Sequence, residues 1–152
     1  MSINKNYAVF GLGRYGRAVA KELVDNGAEV IVVDSNSKTV EEFSGDFPIC
    51  KCADVTEQEA IKRLGISNID VVVIAITNSF ETSVMATMLC KEAGVKQVIV
   101  KCSDELHRTI LEKVGADMVV LPEKESGTRL AKNILSSGFI DLVELSDNIS
   151  MA

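Results

Sequence analysis

A chain of 152 residues with 47% hydrophobic and 25% charged side chains holds enough apolar material for one sizeable core. Its net charge of -6 argues against nucleic acid or an anionic membrane surface as the main partner. No apolar run reaches the roughly 18 residues needed to insert across a bilayer, and "MSINKNYAV" has no signal-peptide profile, so a cytoplasmic location is the expectation.

The first apolar run, Ala8 to Leu12, leads into "GLGRYG" and then into helical periodicity over 14–26. A second strand, Val30 to Val33, ends at Asp34 and precedes a helix over 36–45. "PICKC" is a weaker strand pattern, followed by a helix over 56–64 for which Thr56 and Glu59 form a T-x-x-E capping box. Val71 to Ile76 is apolar on both faces, as suits a central strand covered by helices on each side. The helix after it spans 78–93, and Asn78 is either its N-cap or a ligand contact. Val98 to Val100 precedes a helix over 104–114, capped by Ser103 or Asp104, with His107 in its middle. Met118 to Leu121 precedes a last helix over 123–136. Gly27, Gly65, Gly94 and Gly115 follow four of these helices at C-cap positions. Six strand-helix units predict an α/β fold: a Rossmann-like, doubly wound, parallel six-stranded sheet.

The glycine spacing carries chemistry in that context. Gly11 permits a tight turn, Gly13 lets the backbone approach a phosphate, and Gly16 lets helix and strand pack closely. A helix N-terminus directed at the same point favours an anion. Asp34 lies about 18 residues beyond Gly16, near the offset of about 20 at which an acid meets the ribose hydroxyls. Asp54, Thr77 and Asn78 follow the third and fourth strands, and Lys101 ends the fifth, all at the carboxyl edge where such sheets bind ligands.

Catalytic groups are sparse. Cys50, Cys52, Cys90 and Cys102 are too scattered for a disulfide framework and read mainly as buried thiols. "ICKC" would put Cys50 and Cys52 on one strand face, the basis of a thiol redox sensor reading. His107 is the sole histidine and reads as a surface or interface residue. There is no G-x-S-x-G turn and no G-x-x-x-x-G-K-[ST] loop. A fragment of an NAD-dependent dehydrogenase is the alternative from the enzyme class, although the chain leaves no space for a second, substrate-holding region.

"GLGRYG", "VVD", "ADVTE", "AITN", "VKCSD" and "GADMVVLPEKESG", in this order, resemble the N-terminal nucleotide-binding domain of the RCK family, the regulators of potassium conductance. The likeness covers residues 5–145 and is nearest to the KtrA and TrkA type of cytosolic subunit. It implies a non-enzymatic regulatory domain with ATP and ADP as opposing ligands, and NAD(H) or AMP in other members. It also implies a membrane potassium-translocating subunit as partner, and homo-oligomers that are dimers or octameric rings. The candidate nucleotide contacts are then Gly11, Gly13, Arg14, Tyr15, Gly16, Asp34, Ser35, Asp54, Val55, Thr77, Asn78 and Lys101. In some members of that type the glutamate matching Glu123 in "LPEKESG" helps hold a divalent cation between subunits near the nucleotide phosphates, so Glu123 is either a Ca²⁺ or Mg²⁺ ligand or a first-turn carboxylate favoured by the helix dipole. Complete members of this type carry a further C-terminal subdomain, so residues 1–145 are expected to form the nucleotide-binding domain and 146–152 to begin a linker. Phe80, Val84, Met85, Met88 and Leu89 give the fourth helix more apolar surface than one sheet-facing stripe requires, an assembly surface in expectation.

Overall fold

In the computed structural model, which describes residues 5–136, strands and α-helices alternate along the chain. The chain divides into two units, Met1–Val120 and Leu121–Ala152. The expected linker at 146–152 lies outside the described residues, as do residues 137–145 of the expected domain.

The first unit contains β1 (Asn6–Phe10), α1 (Arg14–Asp25), β2 (Glu29–Asp34), α2 (Ser37–Phe43), β3 (Ile49–Cys52), α3 (Gln58–Arg63), β4 (Val71–Ile74), α4 (Phe80–Glu92), β5 (Gln97–Lys101), α5 (Glu105–Lys113) and β6 (Met118–Val120). A 3₁₀ turn, Ile66–Asn68, enters β4. The strands pair in parallel in the order β3-β2-β1-β4-β5-β6. Strand order therefore reverses between β1 and β4, and a crevice opens there at the carboxyl ends.

Burial follows this order. All of β4 and the last four residues of β1 are buried, because helices cover both faces of the central strands. On one face Tyr7, Val9, Leu12, Val30, Val32, Val71 and Val73 pack with Ala20 of α1 and with Phe47. Each fully buried aliphatic side chain there contributes roughly 1.5–3 kcal/mol. The weak "PICKC" pattern becomes β3, an edge strand on which Ile49 stays 46% exposed. All four C-cap glycines adopt positive φ.

Local details differ from the sequence reading. β1 and β4 end two residues early, at Phe10 and Ile74, because the chain then leaves the sheet to border the crevice. The Thr56–Glu59 box does not form: Thr56 donates its hydroxyl to Asp54 Oδ1 instead, and Glu57 stands at the N-cap of α3. Ser79, not Asn78, caps α4, its Oγ accepting from the Thr82 N–H. Asp104 caps α5 as expected, and His107 lies in the first turn of that helix rather than its middle, stacked on Phe80 at 3.7 Å between ring centroids. Only Cys90 and Cys102 are buried.

The described part of the second unit is α6 (Pro122–Leu135). Pro122 opens it, where a missing N–H costs nothing. Glu123 and Glu125 stand in the first turn, and it is Glu125 Oε2 that accepts from the Leu121 N–H. Glu123 is exposed.

Candidate nucleotide site

The crevice is a cavity of about 740 Å³ bordered by the ends of β1, β2, β3 and β4 and the loops that follow them. That volume lies within the range of small-molecule sites. Gly11, Gly13, Asp34, Ser35, Asp54, Val55, Thr77 and Asn78 all line it, as the sequence led us to expect.

The three glycines do different work. Gly11 takes φ +101°, which L side chains rarely adopt, and a Cβ there would come within 2.6 Å of the Ala75 carbonyl oxygen. Gly16 is buried beneath it, where a Cβ would collide with the Gly11 carbonyl. Gly16 therefore shapes the loop from below and does not line the cavity. Gly13 is the contrary case: a Cβ built on it meets nothing within 4 Å. The space above Gly13 is open to a ligand.

Three helices present their N-caps to this cavity: α1 with Gly13, α2 with Asn36 and α4 with Ser79. Two of them are closed by their own side chains. Asn36 Oδ1 accepts from the Lys38 and Thr39 N–H groups, and Ser79 Oγ accepts from Thr82. Gly13 has no side chain to offer, so the first N–H groups of α1 face outward without a side-chain cap. Partial positive charge from the helix adds to them, which makes this point an anion seat.

Asp34 stands beside that seat at the end of β2. Its Oδ2 accepts from the Leu12 N–H at 2.8 Å and its Oδ1 from the Asn36 N–H at 2.9 Å. A carboxylate has about four acceptor positions, so two remain for a pair of vicinal hydroxyls. Asp54, beyond β3, accepts from both the hydroxyl and the N–H of Thr56, and these bonds hold its carboxyl below the usual range. It stays ionised at neutral pH.

The remaining sequence candidates lie outside the lining. Arg14 is exposed on the first residue of α1. Tyr15 and Lys101 meet each other, the ammonium 5.9 Å from the ring centroid. Glu123 belongs to the second unit. The sequence reading missed Asn36, Thr39, Cys52, Ser79 and Thr82, which line the cavity. S-x-x-T at Ser79 and Thr82 was the available signal for two of them.

The thiols of "ICKC" are directed at backbone. Cys52 Sγ lies 3.6 Å from the Ser35 carbonyl oxygen and Cys50 Sγ 3.9 Å from that of Val40. Burial and the Asp34 charge push the Cys50 thiol up, away from the reactive thiolate. Among the described residues no group of three His, Cys, Asp or Glu side chains could hold a metal ion.

The family model described as "TrkA-N domain" matches residues 7–122. "Ktr system potassium uptake protein A" of Vibrio alginolyticus is 38% identical over 148 residues, which span 97% of this chain and 67% of that protein. "Ktr system potassium uptake protein C" of Bacillus subtilis (strain 168) is 36% identical over 149 residues, spanning 98% of this chain and 67% of that protein. Among solved structures, "Shewanella denitrificans Kef CTD in AMP bound form" superposes with a TM-score of 0.71 over 95% of this chain and 94% of its own, at 17% identity, a likeness of fold.

Proposed function

The chain belongs to the TrkA-N domain family, and on that premise we propose that it is the nucleotide-binding regulatory domain of a potassium uptake system, sensing ATP or ADP, with NAD(H) or AMP as further adenine ligands. The observation that carries this reading is the uncapped start of α1 above Gly13, open to a phosphate, with the Asp34 carboxylate beside it. A nucleotide joins the two chemistries these groups want, an anion and a diol. The proposed role is binding without turnover. A ligand that fits one conformation of an assembly better than another shifts the assembly toward it, and a membrane potassium-translocating subunit would read that shift.

The wider expectations have a chemical basis on this chain. Met85 and Met88 of α4 are 41% and 43% exposed, apolar surface suited to a second copy, and light scattering that finds only monomer at tens of micromolar would oppose it. Phe80, by contrast, is occupied by His107. No helix of the described residues is long and apolar enough to cross a membrane; from the likeness to Ktr system potassium uptake proteins, attachment to a membrane partner on its cytoplasmic side is the proposed location. For a divalent cation the chain offers the exposed Glu123 carboxylate, and Ca²⁺ or Mg²⁺ would draw its other oxygens from phosphate and water.

Calorimetric titration with ATP, ADP, AMP, NAD, NADH and NADPH tests the reading. Adenine nucleotides should bind, and NADPH should bind at least about tenfold more weakly than NADH because its 2′-phosphate meets the Asp34 charge. Equal affinity for NADPH would remove Asp34 from the ribose. Tight NADH binding with negligible ATP and ADP binding would favour a dehydrogenase fragment. Repeated with Ca²⁺ or Mg²⁺, the titration should show any cation enhancement of ATP binding abolished in Glu123→Gln and ADP affinity nearly unchanged. Identical cation dependence in both proteins would leave Glu123 an ordinary first-turn carboxylate.

A further inference from the structure

Arg17, one turn into α1, is the arginine that the fold uses, although Arg14 is the one within the glycine motif. Its Nη1 donates to the Leu12 carbonyl oxygen at 3.3 Å. The same guanidinium lies over the Phe43 ring, 4.2 Å from its centroid. Leu12 is the residue between Gly11 and Gly13, and Phe43 is the last residue of α2. Arg17 thus joins the phosphate-facing loop to the far end of α2.

The near end of α2 is joined to the same loop by a different route. Asp34 accepts from the N–H of Leu12 and from that of Asn36, which caps α2. The contacts form a closed circuit: Leu12 N–H, Asp34, Asn36, α2, Phe43, Arg17 and back to the Leu12 carbonyl. Both polar groups of one loop peptide residue are held, one from each end of a seven-residue helix. Ser35, Asn36 and Thr39 line the diol side of the cavity from α2 and its approach, whereas neither Arg17 nor Phe43 lines it.

We propose that Arg17 is a positioning residue of the pocket, holding the loop that faces phosphate in register with the α2 wall that faces ribose. The proposal rests on the nucleotide reading above. Only a planar guanidinium can donate in its plane to Leu12 while its face covers an aromatic ring. Lysine keeps the charge but not that geometry. A ligand that spans both sides should feel the register, and one that touches the α2 wall alone should not.

The experiment measures ADP and adenosine binding to the full chain, wild type and variants, well below their melting temperatures. Arg17→Met should weaken ADP about tenfold, the size of one lost charge-assisted contact, and change adenosine by less than about twofold. Phe43→Leu, which keeps bulk but removes the ring face, should do the same. The double variant should be no weaker than about tenfold, whereas independent effects would multiply to about a hundredfold. Arg17→Lys should resemble Arg17→Met. Wild-type ADP affinity in Arg17→Lys would mean that charge alone acts and would overturn the proposal. So would unchanged ADP affinity in Arg17→Met and Phe43→Leu with only a lower melting temperature, the signature of a structural brace. A wild type that binds neither ligand fails the nucleotide reading itself, a result distinct from either of these.

Discussion

Alanine in place of Gly16 is expected to cost the domain about 3 kcal/mol, or roughly 6–12 °C in melting temperature, and to abolish nucleotide binding with it. The added Cβ would meet the Gly11 carbonyl carbon and oxygen, and behind them Ala75 at 3.3 Å. Those neighbours are backbone and a buried methyl, with no flexible side-chain end to swing aside. Gly11 yields little, because its N–H is held by the Val33 carbonyl at 2.8 Å and its φ is +101°. Gly13→Ala should behave in the opposite way. Its φ of -73° suits any residue and its Cβ has open space, so stability should stay within about 0.5 kcal/mol. The methyl would occupy the approach to the α1 N–H groups, and ADP affinity should fall more than about tenfold. Thermal melts and calorimetry on the two variants separate the cases. A Gly13→Ala protein that binds ADP as wild type does would move the phosphate elsewhere in the cavity.

Asp34→Ala should lower stability and binding together, for two separate reasons. The N–H of Leu12, a residue only 1% exposed, would lose its acceptor at 2.8 Å, a penalty of about 1–3 kcal/mol. The ribose would lose a charged acceptor at the same time, and with the loop no longer held, ADP affinity should fall on the order of a hundredfold. Asp34→Asn divides these effects. Its single amide oxygen can serve Leu12 or Asn36 but offers an NH₂ to the other, so a smaller loss of stability should accompany a nearly full loss of affinity. If both variants melt early yet bind ADP normally, Asp34 is a loop brace and no ribose ligand.

Much of this architecture was legible because strong local signals agreed. Two-sided apolar runs such as "VVVI" marked central strands, and a glycine after each of four helices marked where it stopped. The glycine motif and Asp34 pointed to the right edge of the sheet, and the RCK resemblance agrees with the TrkA-N match over residues 7–122. What escaped depended on distance or on competition between neighbours. Asn78 and Ser79 are both good caps, and nothing local says which carbonyl turn the backbone will choose. Thr56 had two partners within reach, Glu59 forward and Asp54 behind, and the short Asx turn prevailed. Arg17 could not be ranked above Arg14 because its partner, Phe43, enters only when α2 folds back beside α1.

The uncapped start of α1 makes ligand and fold a single thermodynamic system. α2 and α4 carry their own caps, so their side chains already satisfy N–H groups at their starts whatever the crevice holds. At α1 a seated anion would supply the contribution that a side-chain cap makes elsewhere, about 0.5–2 kcal/mol. Any anion seated there raises the stability of the whole domain by mass action in proportion to the logarithm of its concentration. That gain enters through α1, whose Ala20 is packed into the core. An anion seated at the start of α1 would thus couple to the core through that helix and not only to the rim of the crevice.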